Sequence, residues 1–307
     1  MRIRATVAAV SGALALSALA VPAAQADSSY SKSDLVEAAQ AARQAADGKS
    51  AYAAAEDGVP YTLDLSFSNV KVNKGKPIVA GIAKQVTVPV TYTVTHAEDI
   101  DLNASDFLFD VEIYRGTYDE PVNILWGDEF PTCTEVSATV DSCKGTIDVY
   151  PAEELENADA TTWKAIGYAI DFNDQDLSNP DTIDWSKVGY VDQDALTTTK
   201  LQRYSKLAVN ASPEPVKKGK TITVTGKLTR ANWETHKYAG YTGQSVKLQF
   251  RKKGSTTYTT VKTIKTNSTG NLSTTVKAAS DGYFRYSFAG TSTTPAVSAA
   301  GDFVDVK

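Results

Sequence analysis

The residues best spaced for chemistry in this chain are oxygen donors. In "DIDLNASDFLFD" (99–110), Asp99, Asp101 and Asn103 stand at positions 1, 3 and 5 of a twelve-residue loop, with Asp110 at position 12. That spacing imitates a calcium loop of EF-hand type, which surrounds a hard cation with carboxylate and carbonyl oxygens. The imitation breaks at Ala104, where the turn-forming glycine belongs. It breaks again at Asp110, which is shorter than the usual glutamate and falls inside a predicted strand. A second acidic stretch, "DFNDQDLSNPD" (171–181), offers Asp171, Asn173, Asp174 and Asp176, again without the glycine. Calcium also binds irregular loops, so calcium is the one cofactor the sequence suggests. The competing reading of both stretches is a solvated acidic loop.

"NWETHKYAGYTG" (232–243) gathers Trp233, Tyr238 and Tyr241 with His236. Such a cluster could stack on sugar rings with the histidine as a polar contact; alternatively Trp233 covers one end of a sandwich and the tyrosines pack beside it. Catalysis finds less support. His96 and His236 are the two histidines, one in each half, and no G-x-S-x-G elbow, H-E-x-x-H helix or phosphate-binding glycine loop occurs. A carboxylate pair for glycoside hydrolysis would need two particular acids, and nothing singles them out. Cys133 and Cys143, in "CTEVSATVDSC", are the two cysteines. An even pair this close in an oxidising compartment predicts a local disulfide, whereas a thiolate metal site would need further ligands.

The compartment follows from the start of the chain. Arg2 and Arg4, the apolar run "VAAVSGALALSALAVPAA" and "AQA" at 24–26 have the pattern of a secretory signal peptide over residues 1–26. The run is short and no stop-transfer segment follows, so no membrane span is expected. No cysteine stands at the cleavage point, and "DFVDVK" ends the chain without an apolar tail. The expectation is a secreted, extracellular protein.

Residues 27–59 are Ala-rich, with Asp34 and Glu37 spaced as a capping box and Gly48 as a stop. The apolar face of this predicted helical arm is mostly alanine, which buries little, so a loosely docked or mobile arm is expected. From residue 60 the apolar period becomes two. Leu63, Leu65 and Phe67, then Val86 to Val94, then Phe107, Phe109, Val111 and Ile113 each mark a strand with one buried face. Pro89 argues against a central position for the second of these. Strand candidates at 145–150, 164–172 and 186–192 follow. "ALTTTKLQRYSK" (195–206) then leads to a second series of about seven short strands, the number expected of an immunoglobulin-like sandwich. Within that series "DGYFRYSF" (281–288) reads as a turn followed by a core strand, with Tyr283 or Tyr286 tying a corner through its hydroxyl.

The second module resembles the bacterial Ig-like domains of actinobacterial secreted and cell-surface proteins. The stretches that carry the likeness are "KKGKTITVTGKLTRANW", "GQSVKLQFRKKGSTTYTTVKTIKTNSTGNL" and "DGYFRYSFAGTSTTPAVSAAGDFVDV". The whole chain is also similar to a group of secreted actinobacterial proteins described as calcium-binding. The resemblance implies a fold and a compartment and supplies no catalytic residues.

The fold class read from the sequence is therefore all-β. An acidic β-sandwich (60–198) with one disulfide precedes a basic Ig-like sandwich (205–307). Charge separates them sharply. Residues 60–199 carry 25 Asp plus Glu against 8 Lys plus Arg, and residues 200–307 carry 5 against 18, although the whole chain is only −5. Such asymmetry bears on association rather than fold. It suits head-to-tail attraction between modules, an anionic cell-wall polymer or glycan such as a teichoic acid held by the basic module, or simply two soluble surfaces. Nucleic acid is not expected for an exported chain. The function expected is non-catalytic binding or structure at the bacterial surface; the alternative is a calcium-stabilised carbohydrate-binding protein.

Overall fold

A computed structural model describes residues 32–46, 58–175 and 183–307. The predicted signal peptide (1–26), the predicted stop at Gly48 and the calcium candidate Asp176 lie outside the described residues. The described chain is all-β, built of β-sandwich units whose strands form several sheets. It divides into two compact units. The first holds residues up to Lys76 with Thr87–Val149 and Thr162–Thr199; the second holds Pro77–Val86, Tyr150–Thr161 and Lys200–Lys307.

In the first unit one sheet runs in the order β1 (Tyr61–Thr62), β10 (Gly189–Arg203), β9 (Thr162–Asp171), β5 (Phe107–Gly116), β6 (Pro121–Leu125). The other runs β2 (Leu65–Val72), β4 (Val86–His96), β8 (Val140–Val149), β7 (Thr132–Ser137). Alternation places Val88, Val90, Tyr92 and Val94 of β4 inside, with Leu65 and Phe67 of β2. Phe67 presses so closely on β9 that a Cβ at Gly167 would lie 2.7 Å from its ring, so only glycine fits there. Cys133 and Cys143 face each other across the β7–β8 hairpin, Cα atoms 4.1 Å apart, and form the disulfide.

Four expectations need correction in this unit. β4 is an inner strand of its sheet although it contains Pro89; the β2 register ends at Val90, so the proline falls one residue beyond that pairing. β5 is covered on both faces, since Leu108, Asp110, Glu112 and Tyr114 are buried along with Phe109, Val111 and Ile113. The cover includes helix α1 (Lys32–Ala46), which already runs at Lys32, so Asp34 lies within its first turn rather than ahead of it. Nor does α1 dock loosely over its second half. Ala39, Ala42 and Ala45 are buried against Leu108, Tyr168, Ile170 and Trp185, because small side chains let the helix backbone approach the sheet.

The stretch 195–206 that leads into the second series is itself largely strand: β10 continues to Arg203, and β11 (Ser205–Ser212) follows after one residue. Two segments from the first half of the sequence belong to the second unit. There β3 (Ile78–Ala80) pairs in parallel with Leu201–Arg203, Gly81 O accepts the Trp233 indole N–H at 2.6 Å, and Asn157 Oδ1 accepts the Trp233 backbone N–H at 3.1 Å.

The second unit is the Ig-like sandwich. In one sheet β12 (Thr221–Asn232) pairs with β11 on one side; on the other it pairs with β13 (Lys237–Gly240) and β16 (Asn271–Lys277) end to end. In the other sheet β14 (Ser245–Lys252) lies between β15 (Thr259–Lys265) and β17 (Gly282–Phe288), and β17 also pairs with β18 (Val297–Ser298) and β19 (Asp302–Val304). Ile222, Val224, Leu228, Val246, Leu248, Phe284 and Phe288 fill the space between. Tyr286 lies with them, fully buried, and its hydroxyl donates to Val224 O at 2.8 Å. Of the two tyrosines considered for a corner, Tyr286 makes the bond. It ties one sheet to the other rather than closing the turn.

Candidate functional site

The first acidic stretch does not assemble into a cage. Asp101 Oδ1 accepts the Asn103 backbone N–H at 2.9 Å, so that carboxylate closes its own turn. Asp110 stands apart from Asp99, Asp101 and Asn103 in the middle of β5, buried, with Oδ1 accepting the Val111 N–H at 2.8 Å. In the second stretch Asp171 Oδ1 accepts the Asn173 N–H at 3.0 Å. The Asn173 amide donates to Tyr61 Oη and Lys187 O, both at 2.8 Å, and the Asp174 N–H reaches Asp106 Oδ2 at 2.8 Å. Asn173 and Asp174 both take left-handed backbone angles, φ 46° and 59°, which short polar side chains tolerate best. Among the described residues no group of three or more His, Cys, Asp or Glu side chains is placed to hold a metal ion.

The proposed sugar-stacking cluster is dispersed as well. Trp233 has no exposed face, being 0 % accessible, and its indole is spent on Gly81 O. Tyr241 packs edge-on against Phe288 beneath the Arg230 guanidinium, 3.9 Å from the ring centre. Tyr238 has the Lys206 ammonium 3.6 Å over its ring. His236, at φ 51°, lies exposed in the turn that joins β12 to β13. The cluster is thus mostly the end of the sandwich, and Trp233 is core. His96 is structural in position too: Nε2 meets Asp141 Oδ2 at 2.9 Å and Nδ1 meets Ala97 O at 2.8 Å.

A small cavity of about 30 Å³ lies under α1 in the first unit, among Gln40, Arg43, Glu112, Tyr118, Tyr168 and Tyr190. That is room for a water or two rather than a substrate. Burial, then the Glu112 carboxylate, pushes the Tyr168 hydroxyl well above the ordinary tyrosine range. Arg43 stacks 3.3 Å over Tyr118 and pairs with Asp119 at 2.6 Å, which fixes the helix in place.

The most site-like arrangement was not singled out by sequence. It covers the outer face of the β15–β14–β17 sheet. A bulge creates it: Leu248 pairs with Lys262, but the next residue, Gln249, pairs with Thr260, leaving Val261 as an extra residue. Skipping one residue reverses which face the rest of the strand presents. Ile264 turns toward the core; beyond the bulge Thr260 opposes the outward Gln249, and Tyr258 joins the outer face. There cations and rings form a ladder. Arg285 lies 3.8 Å over Tyr258, Arg251 lies 5.3 Å over Tyr258 and 4.1 Å over Tyr283, and Lys253 lies 5.5 Å over Phe303. Tyr283 and Phe303 stack at 5.1 Å.

Neighbouring backbone keeps the ladder in register. Gly301 lies close beneath it: a Cβ there would collide with the Tyr258 hydroxyl and stand 3.1 Å from Cβ of Tyr283, so a side chain would push Tyr258 aside. Asp281 anchors the entry to β17: its Oδ1 accepts the Val306 N–H at 2.9 Å, and Oδ2 lies 3.6 Å from Lys253. That backbone bond, then the lysine, holds its carboxyl below the ordinary range. Arg251 donates to Ser255 O at 2.6 Å and Arg285 to Gln249 Oε1 at 2.9 Å. Among the described residues neither guanidinium takes part in an ion pair. Both face solvent half-buried, in a stretch of chain where bases outnumber acids 18 to 5.

No protein-family model matches the chain, and no curated protein matches it. Solved structures similar to it include the D00–D0 domain of intimin, 14% identical over 78% of this chain and 98% of that one, with a TM-score of 0.24. FdeC, an Escherichia coli adhesin, is 16% identical over 79% of this chain and 64% of its own, at 0.23. A titin I-band fragment is 10% identical over 79% of this chain and 65% of its own, at 0.29. Likenesses this remote carry nothing about what the chain binds. Among the described residues no helix is long and apolar enough to cross a membrane.

Proposed function

We propose that the protein is an exported, non-catalytic binding protein of the outer cell surface whose basic second unit holds an anionic polymer, of which a wall teichoic acid is one example. The observation that carries this is the ladder on the outer face of the β15–β14–β17 sheet. Two guanidiniums lie 4.1 and 3.8 Å from ring centres there, without an ion pair among the described residues, in the more basic half of the chain. Cations fixed in this way lose little side-chain freedom on meeting an anion, which favours binding over mere solubility.

The test is capture of the purified chain on isolated wall polymer at low and high salt. Attraction through lysine and arginine is screened over about 8 Å at physiological ionic strength, so capture is expected to fall steeply as salt rises. Capture that does not change with salt, or no capture even at low salt, would count against the proposal.

A further inference from the structure

Resting on that reading and deepening it, we propose that Arg251 and Arg285 form a two-point clamp for a phosphodiester-linked chain, each guanidinium taking one phosphate on the outer face of β14 and β17. The register places them diagonally, since Arg251 pairs with Tyr283 and Gln249 pairs with Arg285. Diagonal partners on one sheet face stand roughly 7–8 Å apart. Both flank the same ring, Tyr258, so the two cations are held relative to one another rather than swinging independently.

Rings lie close to both guanidinium carbons, and the N–H groups are what the two side chains offer an anion. A guanidinium has five N–H groups. Arg251 spends one on Ser255 O, and Arg285 spends one on Gln249 Oε1. The donors that remain suit the paired oxygens of a phosphate, a match in which arginine and lysine are not equivalent.

The rings argue for a phosphodiester over a uronic-acid polymer. A sugar acid would gain by laying its pyranose ring on an aromatic face. Here Tyr258, Tyr283 and Phe303 each already have a cation or another ring against them. What the face offers a ligand is therefore anion recognition, and a chain with one charge per short flexible repeat fits two fixed cations. Charge complementarity also admits the acidic first unit of a second copy as a rival occupant.

The experiment compares the secreted chain with two double variants. R251K/R285K keeps every charge but loses the planar forks. K227Q/K277Q removes two charges at exposed positions of the other sheet. Each binds poly(glycerol phosphate) or polygalacturonate at physiological salt, with thermal melts to verify folding and sedimentation velocity to follow self-association. The expected result is a loss of about tenfold or more for R251K/R285K on poly(glycerol phosphate), against a change of about twofold for K227Q/K277Q. R285K alone serves if the double variant melts early, with a loss of several-fold expected.

Parental chain that binds while R251K/R285K binds equally well would overturn the clamp and leave the broader polymer reading standing. Parental chain that ignores both polymers at low salt would end both. Equal affinity for polygalacturonate would overturn the phosphodiester assignment. Polymer-free self-association abolished in R251K/R285K would make a second copy the occupant and overturn the clamp as well.

Discussion

Removing one oxygen from Tyr286 tests the sandwich more sharply than any truncation. In Tyr286→Phe the ring still fills its place between Val224, Leu248 and Phe284, so no cavity forms. What is lost is the 2.8 Å bond from the hydroxyl to Val224 O, which crosses from one sheet to the other. A neutral hydrogen bond contributes about 1 kcal/mol net, and leaving a buried carbonyl short of a partner raises the cost toward 2 kcal/mol. In a unit of about 130 residues, each kcal/mol lowers Tm by roughly 3–6 °C. The expected shift is therefore about 3–12 °C. Differential scanning calorimetry of the purified chain should show it in one transition, the second unit's, with the other unmoved. Tyr283→Phe, on the outer face one residue before Phe284, is the matched control and should shift by less than about 0.5 kcal/mol. If Tyr286→Phe melted like the parent while Tyr283→Phe melted early, the assignment of inner and outer faces in β17 would be wrong.

Other outcomes follow from the same coordinates. Trp233→Ala should cost the second unit about 3–5 kcal/mol, because it empties a fully buried site, and parental Trp233 fluorescence should not respond to added sugars. Cys133→Ala with Cys143→Ala should lower the first unit's stability by about 3 kcal/mol, the loop-closure value for a bridge spanning 10 residues. Gly301→Val should displace Tyr258 and weaken polymer binding while leaving the core melt within a few degrees. Alkaline pH should destabilise the fold. Burial pushes Tyr286 up to about 12 and Tyr92 and Tyr168 well above their ordinary value. The unfolded chain thus releases protons first, and stability should fall from about pH 10 upward. Absorbance at 295 nm should show these phenols ionising together with unfolding.

Most of the architecture was legible in the sequence because period-two burial is written locally. Alternation in "GYFRYSF" puts one set inside, either Phe284 with Phe288 or Tyr283 with the residues in step with it, and the structure buries Phe284, Tyr286 and Phe288. Coverage of an outer face is written elsewhere in the chain, and there the reading failed. Nothing in "DFLFDVEIY" announces that Asp110, Glu112 and Tyr114 will be covered; helix α1 packs on that side of the sheet from some seventy residues upstream. Long-range pairing is equally invisible in "ALTTTKLQRYSK", where Leu201, Gln202 and Arg203 find partners in Ile78–Ala80, a pairing that crosses more than a hundred residues.

The ladder is assembled from residues that are not contiguous in the sequence. Clusters close in sequence drew attention: Asp99 to Asp110, and Trp233 to Tyr241. In a β-sandwich, sequence neighbours alternate between core and solvent, so a cluster such as Trp233–Tyr241 is divided by the fold. Trp233 goes inward and His236 outward. Residues that act together on a sheet face are instead two apart on one strand and on neighbouring strands. Gln249 with Arg251, and Tyr283 with Arg285, have that spacing at outward positions. Tyr258 could not have been added by spacing, because its parity is set by the bulge at Val261. Deleting Val261 should return Tyr258 to the inner side of its strand, dismantle the stack on Arg285, and cost polymer binding even though no charge is removed.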